Sequence, residues 1–186
     1  ENTLVLFTSD NGPARGLSAG PLRGRKGSAY EGGHREPTIA WWPDKVPAGT
    51  QSDALTSMMD LLPTMVGLAG GQVPTDRKLD GRDIWPILAG EPGAKTPHDV
   101  FYYYRGLRMQ AVRSGPWKLH LAKGQLYNLD TDIGERKDVA AANPQVVQRL
   151  RDLVDQMKVD LGVAGVGPGC RKLGRVAKPR PLIGHD

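Results

Sequence analysis

Thr3-Leu4-Val5-Leu6-Phe7-Thr8 is a continuous apolar run that ends in Ser9-Asp10-Asn11-Gly12-Pro13. A run without alternation, closed by turn residues, predicts a strand buried on both faces, the pattern of a parallel sheet. In open α/β sheets ligands bind beyond the carboxyl ends of the strands, so Asp10 and Asn11 stand where a site would lie. A second apolar run, residues 38–42, closes at Pro43. Between the two, residues 13–36 are rich in Gly and Arg and lack any period. That is too long for an ordinary connection, and such loops are usually functional or disordered.

Further along, Leu55, Met58, Met59, Leu62, Met65, Val66 and Ala69 fall at helical spacing. Ser52 or Asp53 would cap this helix, Gly70-Gly71 would end it, and Pro63 predicts a kink or a break. Residues 84–88 read as a short helical turn. The character changes after Pro97. Residues 100–104, 109–113, 117–121 and 125–129 read as short strands, with turns at Ser114-Gly115-Pro116 and Lys123-Gly124, so an antiparallel meander is expected. Asn143-Pro144 then opens a helix with Val146, Val147, Leu150, Leu153, Val154, Met157 and Leu161 on one face, ended by Gly162. The change of character puts a boundary near residues 91–97.

The composition agrees with a loop-rich globular chain. Of 186 residues, 24 are Gly and 15 are Pro, an excess that excludes a plain helix bundle or coiled coil. No apolar run approaches the roughly 18 residues of a membrane span. The formal net charge is +5. Part of the excess is the acid-free stretch 171–180, which carries Arg171, Lys172, Arg175, Lys178 and Arg180 but no aromatic residue. That reads as a solvated basic terminus rather than a nucleic-acid interface. The single cysteine, Cys170, excludes a disulfide within the chain. The chain opens on Glu1 without a charged-then-apolar leader and reads as a fragment or a processed piece.

Three stretches hold candidate chemistry. Asp10 and Asn11 offer hard oxygen donors suited to Ca²⁺ or Mg²⁺, although Asp-Asn-Gly-Pro taken alone is first of all turn chemistry. Arg23-Gly24-Arg25-Lys26-Gly27 sets three cations among glycines, a pattern that fits an oxyanion or simply an exposed basic loop. In Glu31-Gly32-Gly33-His34-Arg35-Glu36-Pro37, Glu31 and His34 are acid–base candidates, but Glu/Arg pairs more often lock a loop. Gly32-Gly33 marks a backbone that needs positive φ or close packing. Trp41-Trp42 reads as core and interface packing. His98, His120 and His185 do not make metal-ligand spacing, and no phosphate-binding Gly-Lys-Ser/Thr loop or serine-hydrolase elbow occurs.

In this order, the segments 8–13, 22–37 and 40–43 strongly resemble the sulfatase family, in the branch of arylsulfatase A and N-acetylgalactosamine-6-sulfatase. Later segments are also similar to it: Asp60-Leu61-Leu62-Pro63-Thr64, Asp80-Gly81-Arg82-Asp83-Ile84-Trp85-Pro86-Ile87-Leu88, the strand pair 110–118, and the hairpin 126–135 with its Gly134-Glu135. Gln110, Asn128 and Ile133 depart from the family pattern, away from the metal and sulfate motifs. The resemblance covers nearly the whole chain and is weakest after residue 165.

The resemblance implies an α/β fold: the C-terminal part of an alkaline-phosphatase-like mixed-sheet domain over 1–95, then a smaller domain with an antiparallel sheet and a helix over 96–186. It implies that Asp10 and Asn11 are ligands of one divalent cation, Ca²⁺, and that Lys26 contacts the sulfate group. Arg23, Arg25 and His34 are not assigned by it. The nucleophile it implies is a formylglycine made from Cys or Ser in a C-x-P-x-R segment, and Cys170 is not in that context. The chain therefore resembles the C-terminal portion of a sulfatase without its nucleophile segment, and is expected to have no turnover alone. The expected partner is a small-molecule or glycan sulfate ester, with neither nucleic acid nor a membrane span. A phosphate or phosphonate ester hydrolase of the same superfamily and a non-catalytic binding protein of sulfatase ancestry are the alternatives. Periplasmic, secreted and lysosomal locations all stay open.

Overall fold

The computed structural model describes residues 2–163, 165 and 167. Cys170, the basic stretch 171–180 and His185 lie outside the described residues.

Strand β1 (Val5–Thr8) pairs with β2 (Thr38–Trp41), with Val5 opposite Trp41 and Thr8 opposite Thr38. The pairing is antiparallel, which corrects the expectation of a parallel strand covered on both faces. Alternation along the pleat puts Val5, Phe7, Ile39 and Trp41 on one face, and all four are exposed, Phe7 to 69 %. Of the tryptophan pair only Trp42 is core. It has left the strand and meets the Trp85 ring at 5.7 Å between centroids.

The next helix begins later than Leu55. Ser57 caps a 3₁₀ turn, Met58–Asp60, in a reciprocal capping box with Asp60, and α2 (Leu61–Leu68) continues from it. Pro63 falls within the first turn of α2, where its missing N–H costs nothing, so the expected break is absent. Asp60 is fully buried and is used on every side. Its carboxylate accepts from the backbone N–H groups of Ser57 and Arg82 (2.7 and 2.8 Å) and meets His98 Nε2 at 2.8 Å. These bonds tie the segment before α3 (Trp85–Leu88) to the start of α2.

The second sheet is the expected meander. Strands β3 (Phe101–Arg105), β4 (Arg108–Ser114), β5 (Trp117–His120) and β6 (Gln125–Asn128) pair antiparallel in sequence order. Helix α4 (Pro144–Asp160) covers one face. Val112, Leu119 and Leu126 from three successive strands meet Leu150 and Val154 of α4 in a fully enclosed core. Burying each such side chain stabilises the fold by about 1.5–3 kcal/mol. The period of two sends Tyr103, Arg113, Lys118, His120 and Tyr127 to the opposite face, and that face is also covered, by residues 23–34.

Candidate active site

The turn after β1 and the irregular segment 23–36 are packed backbone to backbone. Gly12 N–H donates to Gly33 O (3.3 Å) and Lys26 N–H to Pro13 O (3.1 Å). A Cβ on Gly12 would run into the Gly32 carbonyl oxygen, and one on Gly33 into Ser28 O. The Gly32-Gly33 pair thus serves close approach. It lies in α1 (Glu31–His34), a single helical turn.

This packing brings Asp10, Asn11 and Lys26 to one cavity of about 330 Å³. Gly27, Ser28, Ala29 and Gly33 complete its floor, and His34, Glu36, Tyr104 and Arg105 are also on its wall. Of the three cations in residues 23–26, only Lys26 lines the cavity. The Arg23 guanidinium turns away, donating to Glu135 O at 2.7 Å and lying 4.1 Å over the Tyr30 ring. Arg25 is exposed.

The donor set around Asp10 suits a hard cation. Asp10 supplies a carboxylate and Asn11 a carboxamide oxygen. Glu36, on the same wall, has a buried Oε1 with no hydrogen-bond partner. Burial, and then the neighbouring Asp10 charge, push the Glu36 carboxyl above its ordinary value. Two carboxylates that repel across a cavity, one with an orphaned oxygen, are the electrostatic setting a divalent cation relieves. Ca²⁺ takes six to eight oxygens, so further ligands are needed besides these. Among the described residues no cluster of three or more His, Cys, Asp or Glu side chains is shaped as a metal site by itself.

Glu31 and His34 do not act alike. Glu31 is buried and locked, accepting from Lys118 Nζ (2.7 Å) and the Tyr103 hydroxyl (3.1 Å), with Arg113 at 3.6 Å. Burial pushes its carboxyl up, but the Lys118 ammonium, Arg113 and the Tyr103 hydroxyl outweigh that and hold it below the ordinary carboxylate value. His34 is exposed on the cavity wall with its ring edge-on to Tyr103 at 5.1 Å. Lost hydration, and then the Lys118 charge, keep its imidazole below the usual value, so it stays neutral to lower pH.

Sequence reading missed Glu36 and Arg105 as wall residues. It also missed the buried group beneath the cavity: Lys118, His120 and Glu135. Glu135 Oε1 lies 2.7 Å from His120 Nε2 and 3.2 Å from Lys118 Nζ, and its Oε2 accepts from Glu31 N–H at 2.6 Å. The only available signal was the Gly134-Glu135 step in the hairpin segment.

Comparison with known proteins identifies the family. The family model described as Sulfatase matches residues 1–71. N-acetylgalactosamine-6-sulfatase of Canis lupus familiaris is 35 % identical over 96 % of this chain and 44 % of its own length. Arylsulfatase A of Homo sapiens is 37 % identical over 82 % of this chain and 37 % of its own. Among solved structures, Ps i-CgsB aligns with a TM-score of 0.73 at 33 % identity, covering 84 % of this chain and 36 % of that one. A phosphonate monoester hydrolase of Agrobacterium radiobacter aligns with a TM-score of 0.54 at 25 % identity, covering 84 % and 34 %. The chain spans less than half the length of these relatives.

Proposed function

The chain belongs to the sulfatase family, and on that premise we propose that it is part of a longer hydrolase of sulfuric esters, aryl or carbohydrate. Residues 1–95 belong to the domain that carries the active site and 96–186 to a smaller C-terminal domain. The observation that carries the reading is the meeting of Asp10, Asn11 and Lys26 in one cavity.

In this reading Asp10 and Asn11, with Glu36 behind them, hold Ca²⁺. The cation supplies Lewis-acid polarisation of the sulfate oxygens when bound. Lys26 sets its ammonium against the sulfate and the ester oxygen. As the sulfur–oxygen bond lengthens, negative charge grows on that oxygen, and a charge-assisted hydrogen bond from Lys26 strengthens with it. His34 and Arg105 line the approach to the group. The formylglycine nucleophile of the family pattern is expected in sequence outside these residues, so the 186 residues alone are expected to have no turnover.

The test is turnover by the longer protein of an aryl sulfate, a glycan sulfate and an aryl phosphonate. Sulfate ester hydrolysis supports the reading. Preference for the phosphonate would move the protein to the second reading, which the alignment with the phosphonate monoester hydrolase favours. No turnover of any of them would leave a binding protein. Asp10→Ala is expected to lower Ca²⁺ occupancy, read by elemental analysis of the purified protein. Full occupancy in that variant would remove Asp10 from the metal site.

A further inference from the structure

We propose that Glu135, on the segment after β6, is the positioning residue that sets where Lys26 stands relative to Asp10 and Asn11. Its consequence for turnover rests on the sulfatase reading; its geometry does not.

The segment that carries Lys26 has two ends, and Glu135 holds both. At one end Arg23 donates to the Glu135 carbonyl oxygen at 2.7 Å, with the Tyr127 hydroxyl at 3.4 Å. At the other, Glu31 N–H donates to Glu135 Oε2 at 2.6 Å. That N–H is one of the donors at the start of α1 with no partner inside the helix, and Tyr30 before it offers no side-chain cap. The second carboxylate oxygen is fixed by His120 and Lys118, so the side chain cannot swing away. Glu135 is fully buried, and its backbone has φ +51°, a left-handed conformation that a non-glycine residue keeps only when its surroundings determine it.

From these two anchors the constraint runs to the cavity through backbone contacts. Gly32 N–H donates to Arg23 O at 2.8 Å, closing the segment on itself. Gly12 N–H on Gly33 O and Lys26 N–H on Pro13 O then fix the Asp10-Asn11 turn against it. Residues 23–30 have no helix or strand of their own, so their shape depends on what holds the ends.

The experiment uses the longer protein carrying Glu135→Gln, which keeps the shape and removes the charge. Turnover of a sulfate ester and amide hydrogen exchange are read on the same preparation. The expected result is a kcat lower by about 10²-fold with KM little changed, as for a displaced catalytic group. Exchange should accelerate within residues 24–33 while β4 and β5 keep their protection. Glu135→Asp, which restores the charge on a shorter arm, should recover part of the kcat. Unchanged exchange in residues 24–33, an even rise across β3–β6, or local acceleration with unchanged kcat would each overturn the proposal. Should Glu135→Gln fail to fold, Arg23→Ala releases one end from an exposed position and takes the same readouts. If the unsubstituted protein hydrolyses no sulfate ester, the sulfatase reading fails, and the exchange pattern alone decides whether Glu135 braces the segment.

Discussion

Lys26→Ala is expected to lower kcat on a sulfate ester by about 10²–10³-fold, the cost of removing one donor from a charge-stabilising site. The side chain is exposed into the cavity and makes no hydrogen bond or ion pair to another described residue. Its loss therefore leaves folding almost untouched, and the denaturation midpoint should hold. The effect belongs in kcat more than in KM, because the ammonium opposes charge that grows only as the ester bond breaks. Lys26→Arg should recover little, since a planar fork replaces a compact point charge on a different reach. Turnover equal to the unsubstituted protein would take Lys26 out of the mechanism.

The second large effect is on stability. Lys118 is fully buried between two buried carboxylates, 2.7 Å from Glu31 and 3.2 Å from Glu135, with its ammonium 4.1 Å over the Tyr103 ring. Lys118→Met keeps the bulk and leaves those carboxylates without their main counter-charge, a change expected to cost about 3–5 kcal/mol. Chemical denaturation measures it. The pH dependence has a definite sign. In the native protein Glu31 is held below its ordinary value of 4.5, so its contribution is present above that pH and is lost as pH falls through the folded value. In the variant, burial dominates and pushes Glu31 up, so the folded state takes up a proton at higher pH. The deficit should be largest near neutrality and shrink in acid. A deficit independent of pH would mean that lost packing, not the stranded charge, sets the cost.

Some of this was readable from the residues and some was not. The meander and α4 follow from local signals: alternation, turn glycines, and apolar residues on one helical face. The open β1–β2 face did not follow, because an uninterrupted apolar run says that a strand wants cover and not which way its neighbour runs. The sequence places the start of α2 a turn too early, since Leu55 fits the helical period while the cap is Ser57 with Asp60. Asp10, Asn11 and Lys26 stood out through the order of family motifs; by composition alone Asp-Asn-Gly-Pro is a turn. Glu135 was illegible for a stronger reason. Its partner Glu31 is 104 positions away, and periodicity carries no information about pairing at that range. Trp117-Lys118-Leu119-His120 announces one apolar and one polar face, but an alternating strand looks the same whether its polar face meets water or another part of the chain.

The polar underside of the meander has a consequence for anyone building hybrids. An apolar seam tolerates exchange, because one aliphatic residue substitutes for another with modest repacking. The seam between residues 23–34 and β3–β6 is instead a network of charges and hydrogen bonds in which Glu31, Lys118 and Glu135 each hold more than one partner. Grafting a relative's C-terminal sheet onto this front half would require Arg23 and Glu31 to travel with Arg113, Lys118, His120 and Glu135 as one inheritance. A crossover placed at the apparent joint near residue 95 would leave Lys118, His120 and Glu135 together but part Arg23 and Glu31 from Arg113, Lys118 and Glu135.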